Sequence, residues 1–394
     1  MTMKKRFSAP ATLLALAAAG AALPAHAVDW SGYFRGGPAA TNVSGTSRQC
    51  YGLNGPGLKY RLGNECDFYG EFTLSQPIKA DGLEYSANLM TNFYSPNSET
   101  NGASTNVEQA YLDIKGLDIA PKAVFWMGKK RDRDDVHIVD TFFVNMSGVG
   151  AGVNNLDAGS GKLGFAIYKT DNGNVSNGAA RAHVDFYDLP VNAGGKLRIV
   201  GSISKADSAG GVKGKSGAGI SLEHTQDNFM GWGGGNHIWL QTVQGSTPLN
   251  QGFGNPTADS GTKGVRAVES FTFQVGPLGG QTIALWEQDK DAGQKLTATS
   301  LGGRISYALS KNVKFLAELG FSGRKPDGGS QQNLTKLTLG PALSSGPDFW
   351  KRPELRFYVT QASFNKAAAA DTTNGLPAGK TSATSFGAQI EIWF

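Results

Sequence analysis

The last ten residues of the chain place apolar and polar side chains on opposite sides of an extended strand. Successive side chains of a strand point to opposite faces, so every second residue shares a side. One side carries Phe386, Ala388, Ile390, Ile392 and Phe394, and the other carries Ser385, Gly387, Gln389, Glu391 and Trp393. This pattern fits the wall of a barrel that meets lipid on one face and water on the other.

The same alternation recurs in short runs along the chain. A face of Phe, Leu, Ile and Val opposes a face with Arg, Lys, Glu or Asp in residues 68–75, 83–93, 181–187, 196–203, 313–321 and 355–360. A large water-soluble β-sandwich also alternates, but the apolar faces here persist from the first strand to the last without an intervening helix. We therefore predict an all-β fold, a single transmembrane antiparallel β-barrel of the outer-membrane porin type.

The spacing of the strand starts sets the size of the barrel. Starts recur about every 15–25 residues, which gives roughly 16–18 strands, enough to leave an aqueous lumen. The inserts 95–105, 171–180, 244–263 and 366–381 are polar and rich in glycine, and we expect them to be surface loops. One closed sheet makes one domain, residues 28–394, in which the 54 glycines fit a curved wall and many turns.

The start of the chain predicts export. Lys4, Lys5 and Arg6 precede an apolar stretch over residues 11–23, and Ala25-His26-Ala27 forms a small-x-small cleavage signal. These are the parts of a secretory signal peptide, which we assign to residues 1–27. No later segment offers about 18 consecutive apolar residues, so no transmembrane helix is expected after the signal. Export and barrel together predict the outer membrane of a Gram-negative bacterium, in contact with its lipid.

Net charge excludes some partners. The formal charge of +5 includes three cations in the predicted signal, which leaves 34 basic residues (37 minus 3) against 32 acidic ones. This balance gives no reason to expect a nucleic acid as partner.

Cys50 and Cys66 are the only two cysteines. A single pair in a chain exported through an oxidising compartment predicts one disulfide. A metal site is the alternative. The nearest histidine outside the predicted signal is His137, far along the sequence, so the disulfide is the prediction.

Aromatic residues on the predicted wet face suggest a ligand. By parity, Tyr33, Tyr69, Trp350 and Trp393 share their sides with charged residues. Sugars suit such a surface, because their C–H faces stack on flat rings while their hydroxyls bond to charged side chains. Alternatively, these rings pack on inward-folded loops or belong to an interfacial girdle.

A dense mixture of charges occupies residues 129–137 and is followed by Asp140 and Phe142. It offers donors and acceptors at close quarters, as a constriction needs to exchange hydrogen bonds with a polyhydroxyl solute. A solvated loop is the plain alternative. A metal or acid–base site at His137 with Asp135 and Asp140 is disfavoured, because no nucleophile signature and no second nearby histidine accompany it. We expect no cofactor, no metal and no enzymatic activity.

Several segments together resemble the maltoporins, a family of sugar-selective trimeric porins with 18 strands. They are VDWSGYFRGG, KYRLGNECDFYGEFTL, DDVHIVDTFFVNMSGVGAGVNNLD, FWKRPELRFYVT and FGAQIEIWF, and they extend from the first strand to the last. The resemblance implies a homotrimer that allows facilitated diffusion of maltose and maltodextrins.

The resemblance also implies roles for individual residues. The aromatic slide, on which glucose rings glide, would comprise Tyr33, Tyr69, Trp350 and Trp393, with Phe253 as a further member. The polar tracks beside it would comprise Arg35, Arg61, Glu71, Arg133, Asp135, His137 and Asp140. Cys50 and Cys66 match the loop disulfide of the family.

The chain departs from the family pattern at the constriction. Phe142 replaces a tyrosine, residues 95–104 lack the tryptophan that reaches a neighbouring pore, and a track arginine is replaced near Glu108. These departures leave open a porin for another saccharide, such as sucrose or a glucoside, or a weakly selective porin. A barrel protease or lipase and a structural or adhesive barrel are the alternatives from other classes.

Overall fold

The computed structural model describes most of the chain after residue 27. It covers residues 28–53, 59–99, 102–139, 141–170, 179–206, 208–209, 212–374, 376–377 and 379–394. The predicted signal peptide and Asp140 lie outside the described residues.

Strands dominate the described residues. They are β1 (Asp29–Gly36), β2 (Ala39–Thr41), β3 (Phe68–Ala80), β4 (Leu83–Ser95), β5 (Ser104–Lys115), β6 (Val124–Lys130), β7 (Arg133–Asp135), β8 (Phe142–Asn145), β9 (Gly148–Asp157), β10 (Lys162–Lys169), β11 (Ala180–Asn192), β12 (Gly195–Lys205), β13 (Ser208–Ala209), β14 (Val212–Lys213), β15 (Gly217–Asp227), β16 (Gly235–Gln244), β17 (Lys263–Val275), β18 (Leu278–Asp291), β19 (Gln294–Ala308), β20 (Val313–Pro326), β21 (Gln332–Ser344), β22 (Glu354–Phe364) and β23 (Ser382–Trp393). One helical turn, α1 (Lys366–Ala369), and two short 3₁₀ turns (Phe229–Gly231 and Thr372–Asn374) accompany them. In these described ranges, no helix is long and apolar enough to cross a membrane.

Eighteen of the described strands form a closed antiparallel wall, and the short β2 continues β1 along β23. The ring closes because β1 pairs with β3 on one side, where Trp30 faces Leu74, and with β23 on the other, where Tyr33 faces Trp393. Between β1 and β2 the backbone of Gly37 (φ +151°) passes so close to β23 that a Cβ atom would lie 2.2 Å from the carbonyl oxygen of Ala388. The predicted fold and strand number are confirmed.

Burial in this barrel is inverted relative to a water-soluble protein. Along β22, Val359 points outward and is 53 % exposed, whereas Arg356 points inward and is 1 % exposed. The same holds on β20, where Phe315 is exposed and Lys314 is buried. The two faces therefore separate as the period-two pattern predicts, with the apolar side chains on the outside.

Three loops fold into the lumen from one end of the barrel. In their described parts, they are loop 1 (residues 42–53 and 59–67), loop 3 (131–139 and 141–147, with the β7–β8 hairpin) and loop 6 (245–262). The expectation of a surface loop over 244–263 is wrong: Gln251 is fully buried, and the backbone N–H of Asn145 donates to the carbonyl of Asn250 at 2.7 Å. We call the end from which these loops fold the loop end, and the end that holds both termini of the wall the terminal end.

Loop 1 is tied to itself by the predicted disulfide. Cys50 and Cys66 are bonded, with their Cα atoms 5.9 Å apart, which confirms the pairing. In the chain-entropy account, closing a loop of this length stabilises the fold by about 3 kcal/mol.

The inner wall holds loop 1 in place through buried polar contacts. The carboxylate of Glu318 accepts from the backbone N–H of Leu62 at 2.9 Å, and the ammonium group of Lys336 donates to the Leu62 carbonyl at 2.6 Å. Tyr60 lies over Gly320 so closely that a Cβ atom there would meet its ring at 2.1 Å. Loop 1 in turn contacts loop 3, since Tyr60 and Val139 form an isolated antiparallel bridge. Loop 1 therefore narrows the lumen, and hydrogen bonds to the inner wall and to loop 3 hold it there.

A charge on the outer face is expected to destabilise the barrel according to its depth. Val359→Arg, in the middle of β22, should lower the free energy of unfolding in lipid vesicles by about 2–4 kcal/mol, because a guanidinium group enters hydrocarbon. Ser363→Arg, on the same outward face near the loop end of β22, should cost only about 0–1 kcal/mol. Urea titration of the two refolded variants measures the difference, and equal losses would contradict the placement of this face in lipid.

Candidate functional site

Two cavities in the lumen meet at loop 3. The loop-end cavity has a volume of about 770 Å³ and the terminal-end cavity about 570 Å³. Both are lined by Asp135, His137 and Trp393. A solute that crosses the barrel on this side therefore passes these three residues.

Aromatic rings follow one side of this route. In the strand register, Tyr94 faces Tyr69 and Tyr33 faces Trp393. The ring centres of Tyr33 and Tyr69 lie 6.4 Å apart, as do those of Trp393 and Trp350. We call these five residues the aromatic path. It begins at the loop end with Tyr94 and reaches the terminal end at Trp350.

The members of the path reach the lumen in two ways. Tyr33, Tyr69 and Trp393 occupy inward positions of wall strands, as their parity predicts. Trp350 lies in the turn before β22 rather than on a strand, so the parity argument does not apply to it, although its ring does line the terminal-end cavity. Tyr94 was not among the predicted site residues, but it lies two residues after the inward Asn92 and thus shares its face.

Arg61 of loop 1 joins the path to both inner loops. Its guanidinium donates to the hydroxyl of Tyr33 at 2.7 Å, to the carbonyl of His137 at 3.0 Å and to the carboxylate of Glu65 at 2.6 Å. Burial alone would raise the pKa of Glu65, but the guanidinium groups of Arg61 and Arg35 outweigh it and hold that pKa at about 2. Glu65 is therefore a fixed anion beneath the route.

Further charged residues border the loop-end half of the path. Arg35 donates to Asp67 at 2.8 Å and stacks 5.3 Å from the ring centre of Tyr69. Glu71 accepts two hydrogen bonds from Arg131 of loop 3 and one from the Tyr69 hydroxyl. Arg131 falls in the charged segment 129–137 that predicts a constriction, although it was not among the individually predicted site residues. Asp67 was not predicted, because it lies in a loop and nothing in the strand pattern marks it.

Phe142 and Arg133 face the route together at the narrowing. The guanidinium of Arg133 lies 4.0 Å above the ring centre of Phe142, and Arg133 is also 3.5 Å from Glu71. Both side chains line the loop-end cavity with Asp135. The constriction thus offers a cation over a ring that carries no hydroxyl, flanked by carboxylates that can accept from a passing polyol.

His137 is enclosed between cations and an anion. Its Nδ1 lies 3.5 Å from Arg61, while its Nε2 lies 3.2 Å from Arg352 and 3.5 Å from Glu391. Burial lowers the pKa of His137 to about 4, against the attraction of Glu391. The imidazole is therefore neutral at physiological pH.

Phe253, the further residue predicted for the aromatic slide, lies apart from the path. Phe253 of loop 6 packs against the guanidinium of Arg181 at 4.3 Å, and that guanidinium also covers Tyr168 at 4.4 Å. This stack belongs to a packing cluster of loop 6 on β10 and β11, and Phe253 lines neither cavity of the route. Among the described residues, no group of three His, Cys, Asp or Glu side chains could hold a metal.

The low pKa of His137 predicts that this residue does not titrate in the physiological range. We expect the current–pH profiles of the wild type and His137→Gln to superimpose between about pH 5.5 and 8, because the imidazole is already neutral. They should separate only towards pH 4, where a charged imidazole would join Arg61 and Arg352. Single-channel conductance measures this, and a wild-type transition near pH 6.5 that His137→Gln removes would contradict it.

Comparison with known proteins identifies relatives. The sequence model of a family described as LamB porin matches residues 28–394, which is nearly the whole chain. Among solved structures, OmpF of Salmonella typhi, determined in complex with daunomycin, is similar with a TM-score of 0.51 at 10 % identity. The match covers 93 % of this chain and 97 % of that one. At this identity the likeness concerns the fold.

Two further structures are similar over comparable lengths. An anion-selective porin from Comamonas acidovorans has a TM-score of 0.48 at 11 % identity, with 93 % of this chain and 99 % of that chain covered. Wzi of Escherichia coli, an outer-membrane protein described as a carbohydrate-binding β-barrel involved in group 1 capsule assembly, has a TM-score of 0.45 at 12 % identity, with 97 % and 88 % covered.

Proposed function

The chain belongs to the LamB porin family and is an outer-membrane porin, and from this premise we propose that it carries maltose and maltodextrins by facilitated diffusion. The aromatic path is the observation that supports this substrate class. Its rings lie in two pairs, Tyr33 with Tyr69 and Trp393 with Trp350, and the ring centres within each pair are 6.4 Å apart. A chain of pyranose rings can therefore keep one stacking contact while it gains the next.

In this proposal the polar residues beside the path exchange hydrogen bonds with sugar hydroxyls. They comprise Arg35, Arg61, Glu71, Arg133, Asp135 and His137, all of which line the loop-end cavity; Asp140 is assigned to the same role on the family resemblance alone. Arg35, Arg61, Glu71 and Arg133 are each paired with a charged side chain, which orients them towards the route. Binding spread over several weak sites lets sugar both enter and leave.

The proposal is tested by current block in a planar bilayer. Purified protein should conduct ions, and maltohexaose added in the millimolar range should reduce that current saturably. A non-stacking polyol of similar size, such as a short polyethylene glycol, serves as the control and should reduce the current only in proportion to its concentration. If maltohexaose, like the polyol, gives no saturable block, sugar selectivity is refuted while the porin assignment stays intact.

Another saccharide is the second candidate, and Phe142 favours it. Its ring is covered by Arg133 and presents no hydroxyl at the narrowing, which removes one hydrogen bond that a maltodextrin would otherwise receive. A panel of maltose, maltohexaose, sucrose and aryl glucosides in the same assay ranks the substrates, and tighter block by sucrose or a glucoside than by maltohexaose would replace maltodextrin as the proposed cargo.

We further propose that the protein is a homotrimer and acts as a channel without catalysis. Both points rest on family membership. The mass of the protein in mild detergent tests the first. Release of product from lipid or peptide substrates, lost in His137→Ala, would contradict the second.

A further inference from the structure

An apolar groove marks the outer wall on strands β6 and β9–β12, outside the lumen. It has a volume of about 1140 Å³. Its floor is made of small residues, Ala151, Ala180 and Ala182, and its rims include Ile167 and Ile203. The groove is separate from the aromatic path, since these floor and rim side chains occupy outward positions of their strands and none of them lines either cavity of the lumen.

The strand register explains the groove. Ala182 of β11 faces Ile167 of β10 on one side and Ile203 of β12 on the other. Both isoleucines are largely exposed, at 65 % and 64 %. With neighbouring strands about 4.8 Å apart, two branched side chains flank a single methyl group across about 10 Å. That is the width of a channel for an extended hydrocarbon chain.

Two lysines stand at the loop end of the groove. In the register, Ala180 faces Lys169 at the end of β10 and Lys205 at the end of β12. Both lysines are exposed and share the outward parity of Ile167 and Ile203. Their backbones are two strand spacings apart, about 10 Å, so a pair of ammonium groups lies at the mouth of the apolar groove.

This combination points to one kind of occupant. Long loops of outer-membrane barrels face the extracellular side, so the lysine pair lies where the outer leaflet places its head groups and the groove lies where it places its acyl chains. Cations near a membrane surface attract anionic head groups. We propose that the groove binds lipid A, with acyl chains along Ala182 and a phosphate group at each of Lys169 and Lys205.

Native mass spectrometry of the purified protein tests the site. The wild type, released into detergent and titrated with bisphosphorylated lipid A, should retain it. Ala182→Leu fills the groove with an apolar side chain and should lower the affinity about tenfold, as should Lys169→Gln/Lys205→Gln, because each removes one of the two recognition elements. Ala317→Leu and Lys325→Gln, at outward positions of β20, are the matched controls and should bind like the wild type.

Binding of other lipids and the oligomeric state of the variants distinguish a lipid A site from other uses of the groove. Monophosphorylated lipid A should bind more weakly than the bisphosphorylated form to the wild type and equally to the double lysine variant. Phosphatidylglycerol that competes as well as lipid A would overturn the proposal. Unchanged lipid A binding in all variants would also overturn it. A smaller oligomer of Ala182→Leu with unaltered lipid affinity would overturn it too, because the groove would then be an interface between copies of the chain. Maltohexaose block, measured on the same preparations, reports on the pore independently.

Discussion

Trp393→Ala is expected to weaken the block of ion current by maltohexaose by about ten- to one-hundredfold, the range expected when a central aromatic anchor is truncated. Trp393 lies where the two cavities meet, so every sugar unit that crosses the barrel passes its ring. The guanidinium of Arg352 lies 4.3 Å from the ring centre and holds the indole in place. This loss corresponds to about 1.4–2.8 kcal/mol of binding free energy.

The control for this substitution is another tryptophan of the wall. Trp286 of β18 is exposed on the outer face, so Trp286→Ala removes an indole without touching the lumen and should leave the block unchanged. Trp393→Phe keeps a flat ring and should recover most of the affinity. If maltohexaose blocks the currents of Trp393→Ala and Trp286→Ala with the same affinity, stacking on the Trp393 ring does not contribute to transport.

Glu391→Gln is expected to lower the free energy of unfolding by about 3–5 kcal/mol, because it leaves buried cations without their counter-ion. Glu391 is 1 % exposed. It accepts from Arg352 at 2.9 Å and from Tyr33 at 3.1 Å, bonds to Arg356, and lies 3.5 Å from Arg61. The carboxylate therefore joins the wall, loop 1 and the turn before β22.

Loss of this anion should also change the current. With Arg61 released, loop 1 and loop 3 are expected to move, which raises both the mean conductance and its noise. Urea titration and single-channel recording measure the two effects. Glu84→Gln is the matched control: Glu84 pairs with Lys79 at 3.7 Å in an exposed position, so its loss should cost less than about 1 kcal/mol. Equal stabilities and equal noise in the two variants would contradict the structural role of Glu391.

The barrel wall could be read from the sequence because a strand between lipid and water repeats every two residues. Arg356, Tyr358 and Thr360 fall on one side of β22 and Leu355, Phe357 and Val359 on the other, as their order in the chain implies. The same rule places Tyr94 on the inward face of β4, two residues after Asn92. The alternation of side-chain direction depends only on neighbouring residues, so it predicts orientation wherever the strand is continuous.

Loops could not be placed by this rule. Residues 245–262 are polar and rich in glycine, which suits an exposed loop, but a wet lumen lined by polar side chains also satisfies such a segment. Gln251 accordingly lies buried, where its carbonyl accepts from His183 at 3.0 Å. The contacts that decide its position come from β11, far away in sequence. Asp67 was not predicted for the same reason.

A structure of the protein with bound maltohexaose tests the central claim most directly. The account predicts glucose rings stacked in succession over Tyr69, Tyr33, Trp393 and Trp350, with hydroxyls bonded to Arg61 and Asp135. Sugar bound on the opposite wall, beside β10 to β12, or no ordered sugar in this lumen at a concentration that saturates the block, would contradict it.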